Sequence, residues 1–411
     1  MPRLFVNDVT RRDPRALITT EKLARISSIS APDNQYLYAS GDNQITLLAG
    51  CMVTTNSGAM FEIDTNAILG PAALDTGSAF AVGTDYHIYI CDTGDNADDA
   101  VILISSNATA PVGYNSLTAR KIGGFHYGGI RAVNATLDPI NSGGVVMGTG
   151  WESNVKNAIV PRSVWTLLHR PKCNPAGMVY VTSGFWSDIY IASDNGNGGL
   201  KSAYNKAPIT GTEGVNKYKF VELALKTGKR LPTYDEFLAL AAGSPEGLAE
   251  NNNNAWTAGI NLTGRNPTGQ IANAVSAVGV RDAVGNVEKY LNDYTTNASP
   301  EVWQGSTASG TFTYADGGRA GQQITGGTGH GTITRHSYDV SVVGGEWNYD
   351  RISPFPGYGN IYQYYDASLV TIAAGGHWFA ATNAGSRTLF LARTPWVNDL
   401  AIGAILVCDA M

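Results

Sequence analysis

Between about residues 46 and 165 the chain alternates apolar and polar positions with a period of two, interrupted by turn residues. Tyr86, Ile88 and Ile90 interleave with His87 and Tyr89, Val101 to Ile104 form a second apolar run, and the Gly/Asp/Asn cluster at 92–99 separates the two. Short alternating runs bounded by such clusters predict strands, so this part reads as a small all-β sandwich or barrel, the sandwich being the expected form. It ends in APVGYNSLTARKIGGFHYGG (110–129), where Pro111, Gly113, Gly123 and Gly124 punctuate the chain.

From about residue 166 the period changes. Val179 to Val181 and Ile189 to Ala192 predict strands, whereas KYKFVELALKTGK (217–229) places Phe220, Leu223 and Leu225 on a helix that stops at Gly228. A second helix opens at Pro232 and Thr233 and turns Phe237, Leu238 and Ala241 to one side. The stretch 251–274, which begins with four asparagines, predicts a loop. Helices followed by a long, weakly periodic, Gly/Asn/Thr-rich run make residues 166–411 an α+β region with large loops. Near the end, the apolar run Ala401 to Cys408 lies between Asp399 and Asp409. Its length suits a buried strand, since a membrane helix needs roughly 20 residues. The polar and aromatic residues from His377 onward are then held between a glycine turn and an anchoring strand, as in an exposed binding loop.

Residues 1–45 differ in charge. Up to Arg25 there are six basic residues (Arg3, Arg11, Arg12, Arg15, Lys22, Arg25) against three acidic ones (Asp8, Asp13, Glu21). Two readings stand: a solvated arm, or an arm for docking or trimerisation within a larger acidic assembly. The expected division is therefore arm 1–45, sandwich 46–165 and α+β region 166–411.

Composition narrows the classes. Of the 411 residues only 15% are charged, and the net charge is -6, so the basic face that phosphate binding requires is missing and nucleic acid is not expected as a partner. The apolar runs are too short for membrane insertion, and MPRLFVNDVTRRDPR lacks the apolar core of a signal peptide, so synthesis in the cytoplasm without general secretion is expected. Cys51, Cys91, Cys173 and Cys408 share no metal-type spacing and read as free thiols, without a zinc site or a disulfide framework. No Ser/His/Asp order, paired carboxylates, phosphate loop or HExxH is present.

Three signals occur in order: KRLPTYDEF (229–237), DAVGNVEKYLND (282–293) and VVGGEWN (342–348). Together they resemble the C-type-lectin-like fold in its formylglycine-generating-enzyme branch. GTDYHIYICD (83–92), ARKIGGFHY (119–127), GFWSDIY (184–190) and the ungapped stretch 375–409 narrow the resemblance to the major tropism determinant family of phages with a diversity-generating retroelement. The likeness spans most of the chain from about residue 75.

The resemblance implies a non-enzymatic, homotrimeric receptor-binding protein at the tip of a virion tail fibre, with a C-terminal lectin-like domain that displays diversified residues. The positions it marks as variable are His377, Phe379, Ala380, Ala381, Asn383, Phe390, Ala392, Arg393, Val397, Asp399, Ala401 and Ile402. Gly375, Gly376, Trp378, Gly385, Ser386, Arg387, Pro395, Gly403, Val407, Cys408 and Asp409 match the family's scaffold. The chain departs where the family has Arg-Gly and Ile405 and Leu406 stand instead, which implies a more deeply buried closing strand. The expected partners are a bacterial surface receptor, protein or glycan, and other tail proteins through the arm. The alternative is a structural collar or decoration protein of the virion, in which the lectin-like domain makes assembly contacts.

Two further groups bear on binding. The aromatic cluster Tyr349, Phe355, Tyr358, Tyr362, Tyr364 and Tyr365 is broken by proline and glycine, so no regular element buries all six rings; partner contact and trimer packing stand as equal readings of it, and Tyr349, Tyr358 and Tyr362 join the receptor-binding candidates. Glu346, Asn348 and Asp350 alternate as Ca²⁺ ligands can in lectin-like domains, although a hydrated strand face is the favoured reading and no cofactor is expected. Trp378 and Trp347 follow glycine pairs and read as buried plugs, and the lone His126 and His377 as structural imidazoles. The formylglycine-generating branch uses cysteine ligands near its C-terminal motif, where this chain has only Cys408, so that chemistry does not carry over.

Overall fold

The computed structural model describes residues 29–94, 100–182, 184–245, 264–296, 302–305, 311–313, 322–324, 329–335, 360–363, 369–378, 384–386 and 388–411. The chain forms two compact units: residues 1–128 with 157–170 and 411, and residues 129–156 with 171–410. The sequence boundaries at 45 and 165 differ from this division. Strands Leu37–Gly41 and Gln44–Leu47 lie in the stretch read as an arm, while residues 129–156 leave the sandwich region for the second unit.

Among its described residues the first unit contains β-strands and short 3-10 turns. One sheet joins Ile29–Ser30, Met52–Thr54 and Met60–Glu62, and a second joins Leu37–Gly41, Gln44–Leu47 and Ala67–Leu69. The alternating segment forms strand Thr84–Asp92, between Ala100–Ser105 and Ala119–Arg131. Unlike a half-exposed strand, it is buried on both faces from Tyr86 to Cys91. Tyr86, Ile88 and Ile90 enter the main apolar core with Phe125 and Ile122, while Tyr89 and Cys91 pack with Ala110 and Ala119.

Among the described residues, the second unit carries both α-helices and the whole nine-stranded sheet. Asn216 caps helix Lys217–Leu225, its side-chain oxygen accepting the Lys219 N–H at 3.0 Å. Phe220, Leu223 and Ala224 are buried, but Leu225, placed with them by the sequence, is 66% exposed. At about 100° per residue it lies far round the helix from Leu223. Gly228 ends this turn in the left-handed region, with φ 71°.

In KRLPTYDEF, Thr233 and Glu236 form a capping box at the start of helix Tyr234–Ala241. Arg230 bridges Glu236 at 2.6 Å and Asp409 at 2.9 Å, which ties this helix start to the last strand. Burial and partnering therefore explain the motif: Leu231 packs inward, Thr233 caps and Arg230 clamps.

The apolar run Ala401 to Cys408 is buried from Ile402 onward, as expected, but it is not one strand. Ile402–Gly403 pairs in parallel with Glu288–Lys289, whereas Val407–Asp409 pairs with Phe185–Ser187 in another sheet. Between them Ala404 and Leu406 accept hydrogen bonds from Ala192 and Asp188 (each 2.8 Å), so the backbone changes partners while staying buried. Ile405 and Leu406 are fully buried, in keeping with the loss of an arginine there. The expected strand Ile189 to Ala192 is similarly divided, between Phe185–Asp188 and Ala192–Asp194.

The sheet that positions the candidate loop runs in the order Gln322–Ile324, Val302–Gly305, Thr311–Thr313, Gly329–Arg335, Asn360–Gln363, Leu389–Arg393, Leu369–Ala374, Glu288–Thr296 and Ile402–Gly403. Strand Leu389–Arg393 is thus central, parallel to Asn360–Gln363 and antiparallel to Leu369–Ala374.

Candidate functional site

The support beneath the candidate loop comes from DAVGNVEKYLND. Asp282, Gly285 and Asn286 have positive φ (56°, 80° and 63°), residue types that tolerate the left-handed region. The turn is fastened on both sides. Asn286 accepts from the Asn266 N–H and donates its amide to the Asn266 carbonyl (both 3.0 Å), and its own carbonyl accepts the Trp378 N–H at 2.9 Å. Gly285 donates to the Gly375 carbonyl at 2.9 Å, and the buried Lys289 ammonium donates to the Gly285 carbonyl at 2.7 Å.

On this support, strand Leu369–Ala374 ends at Gly375 and Gly376, with φ of 87° and 72°. A Cβ at Gly375 would run into the Ala283 carbonyl oxygen, so both conformation and space demand glycine. Trp378 then packs inward at 7% exposure, the buried plug expected from its glycine pair. The half-buried His377 ring lies edge-on to it at 5.4 Å, and burial lowers the imidazole pKa.

After the buried Ala384 and Ser386 comes Leu389–Arg393, where Leu389 and Leu391 are each 1% exposed. Phe390 between them is half-buried and packs against the core of Phe220, Tyr290 and Ile402. A strand's period of two thus interleaves scaffold leucines with candidate positions Phe390 and Ala392. Beyond it, the Arg393 guanidinium lies 5.4 Å from the Phe390 ring and donates through Nε to Asp399 at 2.7 Å. Asp399 also accepts the Ala401 N–H at 2.9 Å, and its carbonyl accepts from Gly211 at 3.0 Å, while the Lys217 N–H and the Asn216 amide donate to the Pro395 and Trp396 carbonyls at 3.2 and 3.3 Å, so the turn 394–401 is fastened at both ends.

Below this turn sits Glu288, 4% exposed. Burial first, and the nearby Asp399 charge second, push its carboxyl up to about 8. The site floor is therefore an acid that stays largely protonated near neutral pH, with Arg393 and Asp399 above it.

The candidate positions are placed unevenly. Phe390, Arg393, Val397, Asp399 and Ala401 come together along one strand and its following turn, with Val397 37% exposed and the Arg393 side chain 44% exposed. His377 lies by the glycine turn, and Ala392 is placed by its backbone in the strand. Ile402 departs from the expectation of display: it is fully buried because its backbone pairs with Glu288. Tyr362 is in backbone register with Phe390. Phe379, Ala380, Ala381, Asn383, Tyr349, Tyr358, Arg387 and the VVGGEWN motif lie outside the described residues, as do Glu346, Asn348 and Asp350. Among the described residues no group of three or more His, Cys, Asp or Glu side chains is placed to hold a metal ion, and no helix is long and apolar enough to cross a membrane.

Sequence reasoning missed Trp396 and Leu400, which are 55% and 58% exposed in the same turn. Their signal was large apolar residues next to Pro395 and Asn398, where no strand can bury them. It also missed Glu288 and the Arg393–Asp399 pair, for which the linear sequence carries no spacing signal.

Comparisons with known proteins agree with this architecture. Residues 35–152 match the family described as the Mtd second domain. The tail fiber receptor-binding protein of Bordetella phage BPP-1 is 32% identical over 311 residues, 71% of this chain and 73% of that protein. The structure of the Major Tropism Determinant P3c variant superposes with a TM-score of 0.62 at 25% identity, covering 94% of this chain and 86% of that one. The U1 variant gives the same score and identity, covering 93% and 86%. The described residues are mostly β with two α-helices, as the sequence reading expected in its mixed region. With a receptor-binding protein sharing about a third of its residues across most of both chains, and the same fold in solved structures, this chain belongs to the major tropism determinant family of phage tail-fibre receptor-binding proteins.

Proposed function

We propose that this chain is a non-enzymatic adhesin of the virion tail-fibre tip that binds a bacterial surface receptor through residues 377–401. The observation that carries the reading is the division of that stretch. Gly375, Trp378, Leu389 and Leu391 are locked into buried structure, while Arg393, Trp396, Val397 and Leu400 are exposed on one fastened turn. A turn already fastened by Asp399 and its neighbours loses little entropy on binding, and its tryptophan and arginine are among the types that dominate interface energetics, with Val397 and Leu400 adding apolar area around them. In a homotrimer, three such turns convert weak contacts into avidity. The receptor-binding residues would then be His377, Phe379, Ala380, Ala381, Asn383, Phe390, Ala392, Arg393, Val397, Asp399 and Ala401, with Tyr349, Tyr358 and Tyr362 as further candidates from the sequence.

The test is phage adsorption with Arg393→Ala and Val397→Ala combined, both positions being well exposed. Adsorption to the host is expected to fall at least about tenfold, the effect of losing roughly 1.4 kcal/mol of binding. Oligomer size stays unchanged. Undiminished adsorption by a folded double variant would remove the site assignment, and loss of virion assembly with normal adsorption by the assembled particles would favour the structural-protein alternative.

A further inference from the structure

Two of the four cysteines, 235 positions apart in sequence, face each other in the second unit. Pro171 forms an antiparallel bridge with Ala410, and the Lys172 N–H donates to the Asp409 carbonyl at 2.9 Å. Continuing that register by one step puts Cys173 directly opposite Cys408. The backbone N–H of Cys173 donates to the Cys408 sulfur at 3.2 Å, while the Cys173 thiol lies 3.3 Å from the Met178 sulfur and the Cys408 thiol reaches the Gly228 carbonyl at 3.4 Å. Directly opposed residues of an antiparallel pair lie roughly 4.5–5.5 Å apart between Cα atoms, inside the range a disulfide spans.

We propose that Cys173 and Cys408 are a reversible dithiol–disulfide pair that closes in an oxidising medium and staples the last strand of the second unit to the segment after Pro171. The two sulfurs are suited to different steps. Cys173 is only half-buried and can meet a soluble disulfide, whereas Cys408 is 3% exposed. The neighbouring Cys173 side chain first, and backbone N–H groups such as that of Cys173 second, favour the Cys408 thiolate and lower its pKa. The Cys408 sulfur and burial raise the Cys173 pKa, so Cys173 first passes its proton to the Cys408 thiolate. The Cys173 thiolate so formed attacks one sulfur of a low-molecular-weight disulfide such as oxidised glutathione, breaking that S–S bond and releasing one glutathione thiolate, which takes the proton back from Cys408. The Cys408 thiolate then attacks the Cys173 sulfur, forming the protein disulfide and expelling the second glutathione thiolate. The two protein thiol protons pass to the two released thiolates, and the two electrons reduce the glutathione disulfide.

Closure acts on the scaffold of the binding turn. Cys408 lies in the strand that carries Asp409, the partner of Arg230, and follows the buried run that leaves Ile402. Because the closed loop is long, the staple strongly restricts the unfolded chain. The chemistry stands whether or not residues 377–401 bind a receptor.

The full-length protein is incubated with oxidised glutathione, alkylated under native conditions and digested without reduction for mass spectrometry. The expected result is a cross-linked pair of peptides containing Cys173 and Cys408, with Cys51 and Cys91 still thiols. The unfolding temperature is expected to rise by about 5 °C or more, reversibly with dithiothreitol and not in Cys173→Ser. Alkylation of both thiols after oxidation overturns the proposal, as does a glutathione adduct that persists on Cys173 or a cross-link to Cys51 or Cys91. Should Cys173→Ser not fold, the oxidised and reduced forms of the wild type are compared instead, and equal unfolding temperatures overturn the proposal.

Discussion

Glutamine at position 288 should make the protein less sensitive to rising pH. Glu288 is 4% exposed, its backbone N–H is bound to the Ala401 carbonyl at 2.8 Å, and its carboxyl is raised from 4.5 to about 8 by burial and then by the Asp399 charge. Between those two values the folded chain holds a proton that the unfolded chain has released. Its stability contribution is therefore complete below about pH 4.5 and is lost as pH rises toward 8. A shift of this size corresponds to a loss on the order of 5 kcal/mol, an upper bound because water admitted at the turn lowers the cost of ionisation. Glu288→Gln keeps the shape and removes the titration. Urea unfolding at matched ionic strength should show the variant near wild type at about pH 5 and more stable by a few kcal/mol at about pH 8.5. A difference between the two proteins that does not change with pH would refute a protonated Glu288 beneath the turn.

Three further outcomes follow from the same geometry. Trp378→Ala removes a buried plug and should cost about 3–5 kcal/mol, read by denaturant midpoint; a loss under about 1 kcal/mol would mean the ring is not structural. Gly375→Ala places a side chain at φ 87° against the Ala283 carbonyl and should cost about 2 kcal/mol or more in the same assay. A double-mutant cycle with Arg393→Ala and Asp399→Ala should give a coupling near 1 kcal/mol, because the pair is charge-assisted but its arginine is 44% exposed; additive effects would contradict the fastened turn.

Much of this was legible in the sequence where one local rule decided the outcome. Thr233 with Glu236 spelled a helix start, Gly228 a helix stop, and Gly375-Gly376 before Trp378 a tight turn over a buried ring. Failures arose where tertiary partners outvoted pattern. The run from Ala401 to Cys408 looked continuous because burial was continuous, yet its backbone switches from Glu288 to Ser187 as hydrogen-bond partner strand. For the same reason Ile402, a variable position by resemblance, is buried: its neighbour in space is invisible in its own sequence. The thiols of Cys173 and Cys408 were equally illegible as a pair, since only the antiparallel register at Pro171 and Ala410 brings them together.

The central claim is that 375–409 is two interleaved sets of residues, one holding shape and one free for recognition. A saturation substitution scan across this stretch, read in parallel for folded yield and for adsorption to the host, tests it directly. The account predicts that substitutions at Gly375, Trp378, Leu389, Leu391 and Ile402 lose folded protein, whereas those at Arg393, Trp396, Val397 and Leu400 keep folded yield and lose or redirect adsorption. Folded yield and adsorption that fall together at every position would contradict it.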